Sequence, residues 1–447
     1  MKIWNKGVRS MIRKIKQILA LALPLILQQL CLQMQIWIDR AMLGHINTGF
    51  FAAIGNTSVP YYMVTSIITA ICGGTAILTA QKIGANQVRD IERIAESSFF
   101  GSTLLSVATY LFFLFCSDDL FRLMGVQSPI LEYCISYIRV LSLSLLILGP
   151  SSSALAVLQG FGLTKIIMFV GVTGNLLNIL LVWLLIFGHL GLPALGIEGA
   201  AWATVISNFI SAGIAIAYVF GSSHMPVRLH LSLRSIGQLS GYGQVLRLGI
   251  PSGLEYFLWN VGNFVLVSYL NRLDPMHTGI YTLVFSIETV PLLIYMGLSN
   301  AGLTLVGQQT GARSPRQARQ TGLICLGFAF VICAVTAIVF YLFPKQLLSL
   351  FTDDSSTLAV SVPFLRFVSW ILFPKAVNNV IGLCIRGTGD TGWMLFTQIF
   401  GTVFMIAGGY YFILAGGFGL TGIFITLLLD ELLRGIANFC RFLRRTI

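Results

Sequence analysis

Apolar stretches of about twenty residues recur along this chain, each ended by a short polar or glycine-rich connection. A helix needs about twenty such residues to cross the roughly 30 Å hydrocarbon core of a bilayer. The pattern predicts about twelve spanning helices, over 17–40, 52–80, 95–117, 134–158, 166–188, 196–220, 246–270, 279–305, 321–343, 358–384, 393–414 and 418–440. The expected fold class is therefore an all-α polytopic membrane protein.

The pattern also repeats. Pro24 and Pro251 are separated by 251 − 24 = 227 positions. The same shift brings AQKIGA onto GQQTGA, with Gln81, Gly84 and Ala85 meeting Gln308, Gly311 and Ala312. It brings LQGFGLT onto IRGTGDT, with Gly160, Gly162 and Thr164 meeting Gly387, Gly389 and Thr391. Arg139 meets Arg366, and Gly174 meets Gly401. One constant shift over so many residues predicts two pseudo-symmetric six-helix bundles. They are expected as an N-lobe over 1–220, a cytoplasmic linker over 221–245 and a C-lobe over 246–447. Six is an even number, so both bundles enter the membrane in one direction, an arrangement that suits a substrate path between repeats.

Polar residues inside the spans fall in stripes. Gln28, Gln35 and Asp39 share a narrow face of the first span, since helical residues advance by about 100° each. Gln29, Gln33 and Arg40 form a second stripe. Lipid cannot satisfy these groups, so both must face protein or a wet cavity. An Asp at the centre of a span costs about 2.5–3.5 kcal/mol on insertion scales. Asp39 lies nearer the span end, and it reads either as a proton-carrying carboxyl or as half of a structural pair involving Arg40. The seventh span sets Glu255, Trp259 and Asn263 toward one side. The eighth carries Glu288, Pro291, Tyr295 and Ser299 at helical spacing. Asn175 and Asn178 suit helix–helix hydrogen bonding as well as they suit a ligand. Asp430 and Arg434 read as a structural i, i+4 pair. Lys375, within the tenth span, requires an acidic partner or water, and either Glu255 or Glu288 could serve.

Composition narrows the class. The 447 residues are 56% hydrophobic and only 10% charged, against about 25% charged in ordinary soluble domains. The net charge of +12 would suggest nucleic acid in a soluble protein. Here the bases gather in tails and alternate connections: Lys2, Lys6, Arg9, Arg13, Lys14 and Lys16, then Lys82, Arg89 and Arg93, then Arg228, Arg234 and Arg247, then Arg313, Arg316 and Arg319, and finally Arg441, Arg444 and Arg445. Asp118, Asp119, Asp274, Asp353 and Asp354 fall on the other side. The positive-inside rule then puts both termini in the cytoplasm, and no nucleic-acid partner is expected. The eight cysteines include no CxxC pair, which predicts buried thiols rather than a metal site. The basic start followed by ILALAL imitates a signal peptide, but the apolar run continues beyond it, as an uncleaved span does. GLTLVGQQTG lacks the GK[ST] of a phosphate loop. His45, His189, His224, His230 and His277 are scattered. No enzyme and no cofactor are expected.

LPLILQQL with IDRAMLGH, LTAQKIGA, LTLVGQQTGA, LQGFGLTK, GNLLNILLVWLLIFG, LPALGIEGAAWATVIS, GIPSGLE and IRGTGDT appear in this order. Together they resemble the multidrug and toxic compound extrusion (MATE) family of bacterial type over essentially the whole chain. The resemblance implies a secondary active antiporter, expected as a monomer in the plasma (inner) membrane, that exports organic cations or amphiphilic drugs by alternating access. It implies that Asp39 carries the coupling ion, with Asn178 and Thr204 as polar partners and Glu255 as a C-lobe acid. Glu288 is a further coupling candidate. Gln28, Gln35, Asn175, Asn178, Thr204, Trp259, Asn263 and Tyr295 are the expected cavity residues. Val182 stands where some members carry a second acid, which favours protons over sodium as the coupling ion. A sodium-coupled pump, a lipid-linked saccharide flippase and a membrane-embedded enzyme are the alternatives.

Overall fold

The structure, a computed structural model, describes residues 2–44, 48–191, 193–229 and 240–445. Much of the expected linker, with Arg234 and His230, lies outside them, as does His45. The first half comprises α1 (Lys2–Gly44), α2 (Thr48–Gly84), α3 (Val88–Leu123), α4 (Ile130–Leu141), α5 (Leu145–Phe161), α6 (Thr164–Phe187) and α7 (Gly196–Gly221). A single 3-10 turn joins α4 to α5, so the two make one span. The second half comprises α8 (Ser240–Leu273), α9 (Pro275–Gly311), α10 (Pro315–Leu342), the short α11 (Pro344–Leu348), α12 (Ser355–Gly387), α13 (Thr391–Gly409) and α14 (Gly419–Arg445). α13 continues through a π turn over Tyr410–Ala415.

The repeat read from the sequence governs where helices start. α2 and α9 match at both ends (275 − 48 = 227 and 311 − 84 = 227), and α3 with α10 (315 − 88 = 227) and α6 with α13 (391 − 164 = 227) match at their starts. Gly162 and Gly389, one shift apart, both take the left-handed conformation, at φ 78° and φ 87°. That conformation ends a helix with little strain only at glycine, so the second Gly of each GxG motif is what turns the chain.

Ten helices among the described residues are long and apolar enough to cross a bilayer. α8 and α14 occupy the remaining two expected spans but fall short of that apolarity. Glu255, Asn260, Asn263 and Asn271 dilute the first, and Asp430, Glu431 and Arg434 the second. Large apolar side chains such as Phe115, Leu176, Trp370 and Phe396 point outward, as helices in lipid require.

The chain forms two compact units, one of Met1–Ile26 with Leu254–Ile447 and the other of Leu27–Gly253. This differs from the expected division at 220 and 246. The boundaries obey the repeat themselves (254 − 27 = 227), and each falls three residues after a helix-interior proline, Pro24 in α1 and Pro251 in α8. The first helix of each half thus begins in the unit built mainly by the other half. Small residues make this possible. A Cβ on Gly249 of α8 would overlap the Ile71 carbonyl of α2, and one on Gly297 of α9 would lie 3.2 Å from the Ala22 carbonyl of α1. In the Leu27–Gly253 unit the core gathers Phe113, Phe121, Cys134, Ile138 and Leu145. In the other unit it gathers Tyr295, Leu298, Ile371, Val380 and Phe424.

Candidate functional site

Within the Leu27–Gly253 unit, the polar stripe of α1 meets α6 and α7. Gln35 Nε2 donates to Asp39 Oδ2 at 3.3 Å and to Asn178 Oδ1 at 2.7 Å. Asn178 Nδ2 donates to Thr204 Oγ1 and Ser207 Oγ, both at 3.3 Å. Turning the Asn178 amide over places its nitrogen 3.2 Å from Asp39 Oδ2 and lets its oxygen accept from Thr204. In the same way Asn175 can donate to Gln35 Oε1 at 2.9 Å. Either arrangement makes one connected network, because an amide offers a donor and an acceptor on opposite faces. No ion pair to Asp39 occurs among the described residues. The Arg40 side chain, its alternative partner by sequence, lies outside them.

The network borders a cavity of about 180 Å³ lined by Gln28, Gln35, Tyr61, Asn175, Asn178 and Asn208 among others. Pockets that hold drug-sized ligands are about 300–1,000 Å³. Gln28, Gln35, Asn175 and Asn178 therefore border a space sized for water and small ions. Val182 is 1% exposed and packs in the core of this unit, so the position of the missing second acid is a packing position.

The repeat isolates what is special about this network. One shift along, Gln35 becomes Gly262, Asn178 becomes Met405 and Asp39 becomes Leu266 (262 − 35 = 405 − 178 = 266 − 39 = 227). Gly262 and Met405 still meet there: a Cβ on Gly262 would lie 3.2 Å from Met405 Sδ. Leu266 is fully buried. The same helix crossing is thus built once from amides and a carboxyl, and once from apolar groups. The fold does not need polar residues at this crossing.

The other unit carries charge elsewhere. Lys375 Nζ donates to Glu288 Oε1 at 2.7 Å, which chooses between the two acids the sequence left open. Glu255 instead pairs with Arg386 at 2.7 Å, and that guanidinium lies 5.3 Å from the centre of the Tyr256 ring. Arg386 was not singled out in the sequence, because IRGTGDT reads as a turn signal. Asp430 accepts from Arg434 through both oxygens, the structural pair expected from the spacing. Tyr295, expected in a cavity wall, is fully buried. Asn263 accepts from the Tyr281 hydroxyl at 3.4 Å and donates to the Trp259 carbonyl at 2.9 Å, so its amide is used within the helix pair. Asp39 and the acids Glu255 and Glu288 consequently belong to different units and different surroundings.

A duplicated bundle of long apolar helices around an internal acidic network is the architecture of a helical membrane transporter. The MatE family model matches residues 24–184 and again 251–411, once in each repeat, and the chain belongs to this family. It is 26% identical over 415 residues to the uncharacterized transporter YisQ of Bacillus subtilis, covering 91% of this chain and 89% of that one. It is 26% identical to the probable multidrug resistance protein NorM of Thermotoga maritima, covering 84% and 80%. Among solved structures, an outward-facing multidrug resistance MATE family transporter of the MOP superfamily superimposes with a TM-score of 0.88 at 23% identity, over 96% of this chain and 95% of that one. A MOP superfamily transporter from Pyrococcus furiosus, described as having a binding pocket of reverse polarity, gives the same score and coverage.

Proposed function

We propose that this transporter is a multidrug efflux antiporter of the plasma membrane, exporting organic cations or amphiphilic drugs in exchange for protons, with Asp39 as the coupling carboxyl and both termini in the cytoplasm. The observation that carries this reading is the network around Asp39. A carboxyl held by two neutral amides, beside a small polar cavity, has no fixed countercharge among the described residues. Neutral amides can serve either the carboxylate or the carboxylic acid, donating to the one and accepting from the other. A carboxyl so held gains and loses its proton as access changes.

Proton exchange suits the site better than sodium. One carboxyl with amides and hydroxyls offers a single formal charge, and Val182, packed in the core of the same unit, adds no second one. In the outward-open state Asp39 takes a proton as the drug leaves, and in the inward-open state the proton leaves and the drug binds. Each net charge entering gains about 2.3 kcal/mol per 100 mV, roughly a fiftyfold gradient at about 1.4 kcal/mol per tenfold. The difference in affinity between the two states is what converts this into export.

The test is ethidium efflux from cells expressing wild type or Asp39→Asn, with the proton gradient collapsed in a parallel sample. Wild-type efflux should require the gradient, and Asp39→Asn should lose it at normal expression. Gradient-independent efflux by wild type, or undiminished efflux by the variant, overturns the reading.

A further inference from the structure

The repeat shift pairs two helix starts whose charges differ. Residues 82–96, around the start of α3, carry Lys82, Arg89 and Arg93 against Asp90, Glu92 and Glu96, three bases and three acids. Lys82 pairs with Asp90 at 2.7 Å. One shift along, residues 309–323 around the start of α10 carry Arg313, Arg316 and Arg319 and no acid (309 − 82 = 323 − 96 = 227). Asp90 becomes Gln317, Glu92 becomes Arg319 and Glu96 becomes Leu323. The positive-inside rule asks for bases at both places, but it does not ask for the loss of every acid at one of them.

More positive charge gathers at the same place. Lys14 of α1 donates to Gln320 Oε1 of α10 at 2.6 Å, through a neutral amide that leaves the ammonium charge uncancelled. Its repeat mate is Gly241 (241 − 14 = 227). The end of α14 joins them, with its Phe442 ring against Gly322 of α10. There Arg441 and Arg445 are both spent on Asp390. Lys14, Arg316 and Arg319 have no ion pair among the described residues. Like charges held on one corner repel, and an anion set among them relieves the repulsion.

A second observation is independent of the charges. Arg316, Gln320, Leu323, Gly327 and Phe330 are spaced 4, 3, 4 and 3, which makes one stripe along α10. Leu323 and Phe330 are 37% and 38% exposed, and a Cβ on Gly327 would meet nothing within 4 Å. The stripe thus begins in charge and continues in exposed apolar side chains with an open notch between them. The matching stripe of α3 reads Arg89, Arg93, Glu96, Phe100 and Thr103, with an acid in the middle and a bulky ring in place of the notch. Bases at the membrane surface beside an exposed apolar groove fit an amphiphile with an anionic head and a hydrocarbon tail.

We propose that this corner of α1 and α10 holds an anionic phospholipid of the surrounding leaflet, its phosphate among Lys14, Arg316 and Arg319 and an acyl chain along Leu323, Gly327 and Phe330. The headgroup phosphate offers several acceptor oxygens to the guanidinium and ammonium donors. A zwitterionic lipid brings its own cation to the same place and is disfavoured. The binding stands apart from the Asp39 reading; only the assignment of the lipid to the cytoplasmic leaflet rests on the proposed orientation.

Native mass spectrometry of the full chain in detergent tests this, with dioleoyl phosphatidylglycerol, dioleoyl phosphatidylcholine and glycerol phosphate added in turn. Phosphatidylglycerol should bind at lower concentration than phosphatidylcholine, and glycerol phosphate should not displace it. A base near a membrane surface strengthens such binding roughly fivefold, so Arg316→Gln should weaken it about fivefold and the triple variant Lys14→Gln, Arg316→Gln, Arg319→Gln about a hundredfold. Gly327→Leu, built into open space, should fold and also weaken it, while Arg89→Gln on α3 should leave it unchanged. Size-exclusion profiles identify the folded samples. Arg316 is exposed and has no ion pair among the described residues, so its single variant carries the test if the triple variant does not fold. Equal binding of the two lipids, wild-type affinity in Arg316→Gln or in Gly327→Leu, or displacement by glycerol phosphate would each overturn the proposal, and none of them bears on Asp39.

Discussion

Removing Lys375 and Glu288 together should destabilise this protein less than the sum of the two single losses. Both side chains are nearly enclosed, at 11% and 7% exposed, with 2.7 Å between the charged atoms. At an effective dielectric near 20, charges at that separation attract by roughly 6 kcal/mol. Desolvation of both groups takes back part of this. What remains visible on breaking one side is about 3–5 kcal/mol, because a buried charge is stranded. Lys375→Met leaves the buried Glu288 carboxylate without its partner at 2.7 Å. Glu288→Gln strands Lys375, which keeps Glu431 within electrostatic reach and the Phe285 ring at 5.7 Å. The double variant removes both charges and should recover much of the loss, so the coupling between the two sites should exceed about 1.5 kcal/mol, within the range seen for contacting residues. Denaturant unfolding in detergent micelles, read by tryptophan fluorescence, gives the four stabilities. Additive losses within about 0.5 kcal/mol would refute the claim that the pair is held by mutual charge.

Other expectations follow from packing and capping. Gly249→Val should abolish folded yield by size-exclusion chromatography, since its side chain would collide with the Ile71 backbone, whereas Gly243→Ala, with open space around it, should fold as wild type. Asp354 caps α12 by accepting from Ser356 and Thr357, and these hydrogen bonds, Thr357 foremost, hold its carboxyl well below the usual carboxylate range. Its folded-state pKa is depressed, so its contribution is present above the unfolded value of about 3.9 and is lost as pH falls below it. The gap in melting temperature between wild type and Asp354→Ala should therefore be open at neutral pH and narrow in acid; a gap independent of pH would contradict this. Of the eight cysteines, Cys72, Cys134, Cys325, Cys333 and Cys384 are buried and Cys440 is exposed, so a membrane-permeant maleimide should label Cys440 in the native protein and the buried five only after unfolding.

Much of this was legible in the chain. Helix starts follow the 227-residue shift because Gly84 and Gly311, and Gly162 and Gly389, end the preceding helices alike in both halves. The first-span stripe found its partners because a 3.6-residue period fixes which residues share a face, so Gln35 and Asp39 could meet Asn178. Asp430 and Arg434 paired because i, i+4 residues are neighbours on any helix. Contacts remote along the chain were harder to see. Lys375 could have taken either of two acids, and only the packing of α12 on α9 selects Glu288. Arg386 sits 131 positions from Glu255 (386 − 255 = 131) at a helix end. Glu431, one position from the obvious Asp430, was not singled out, because its amide partner Asn378 lies 53 positions away on another helix. The exchange of helix beginnings between units leaves no periodic signal, because it depends on close backbone approach at Gly249 and Gly297. The small volume beside Asn178 likewise depends on side-chain packing that hydrophobic period does not encode.

The central claim, that Asp39 couples proton movement to drug export, is tested most directly in proteoliposomes holding the purified transporter. Ethidium transport is followed under an imposed pH gradient alone and under an imposed sodium gradient alone, for wild type and Asp39→Asn. Wild type should transport under the pH gradient and not under the sodium gradient, and Asp39→Asn should transport under neither. Transport by Asp39→Asn at the wild-type rate under the pH gradient, or wild-type transport driven by sodium alone, would contradict it.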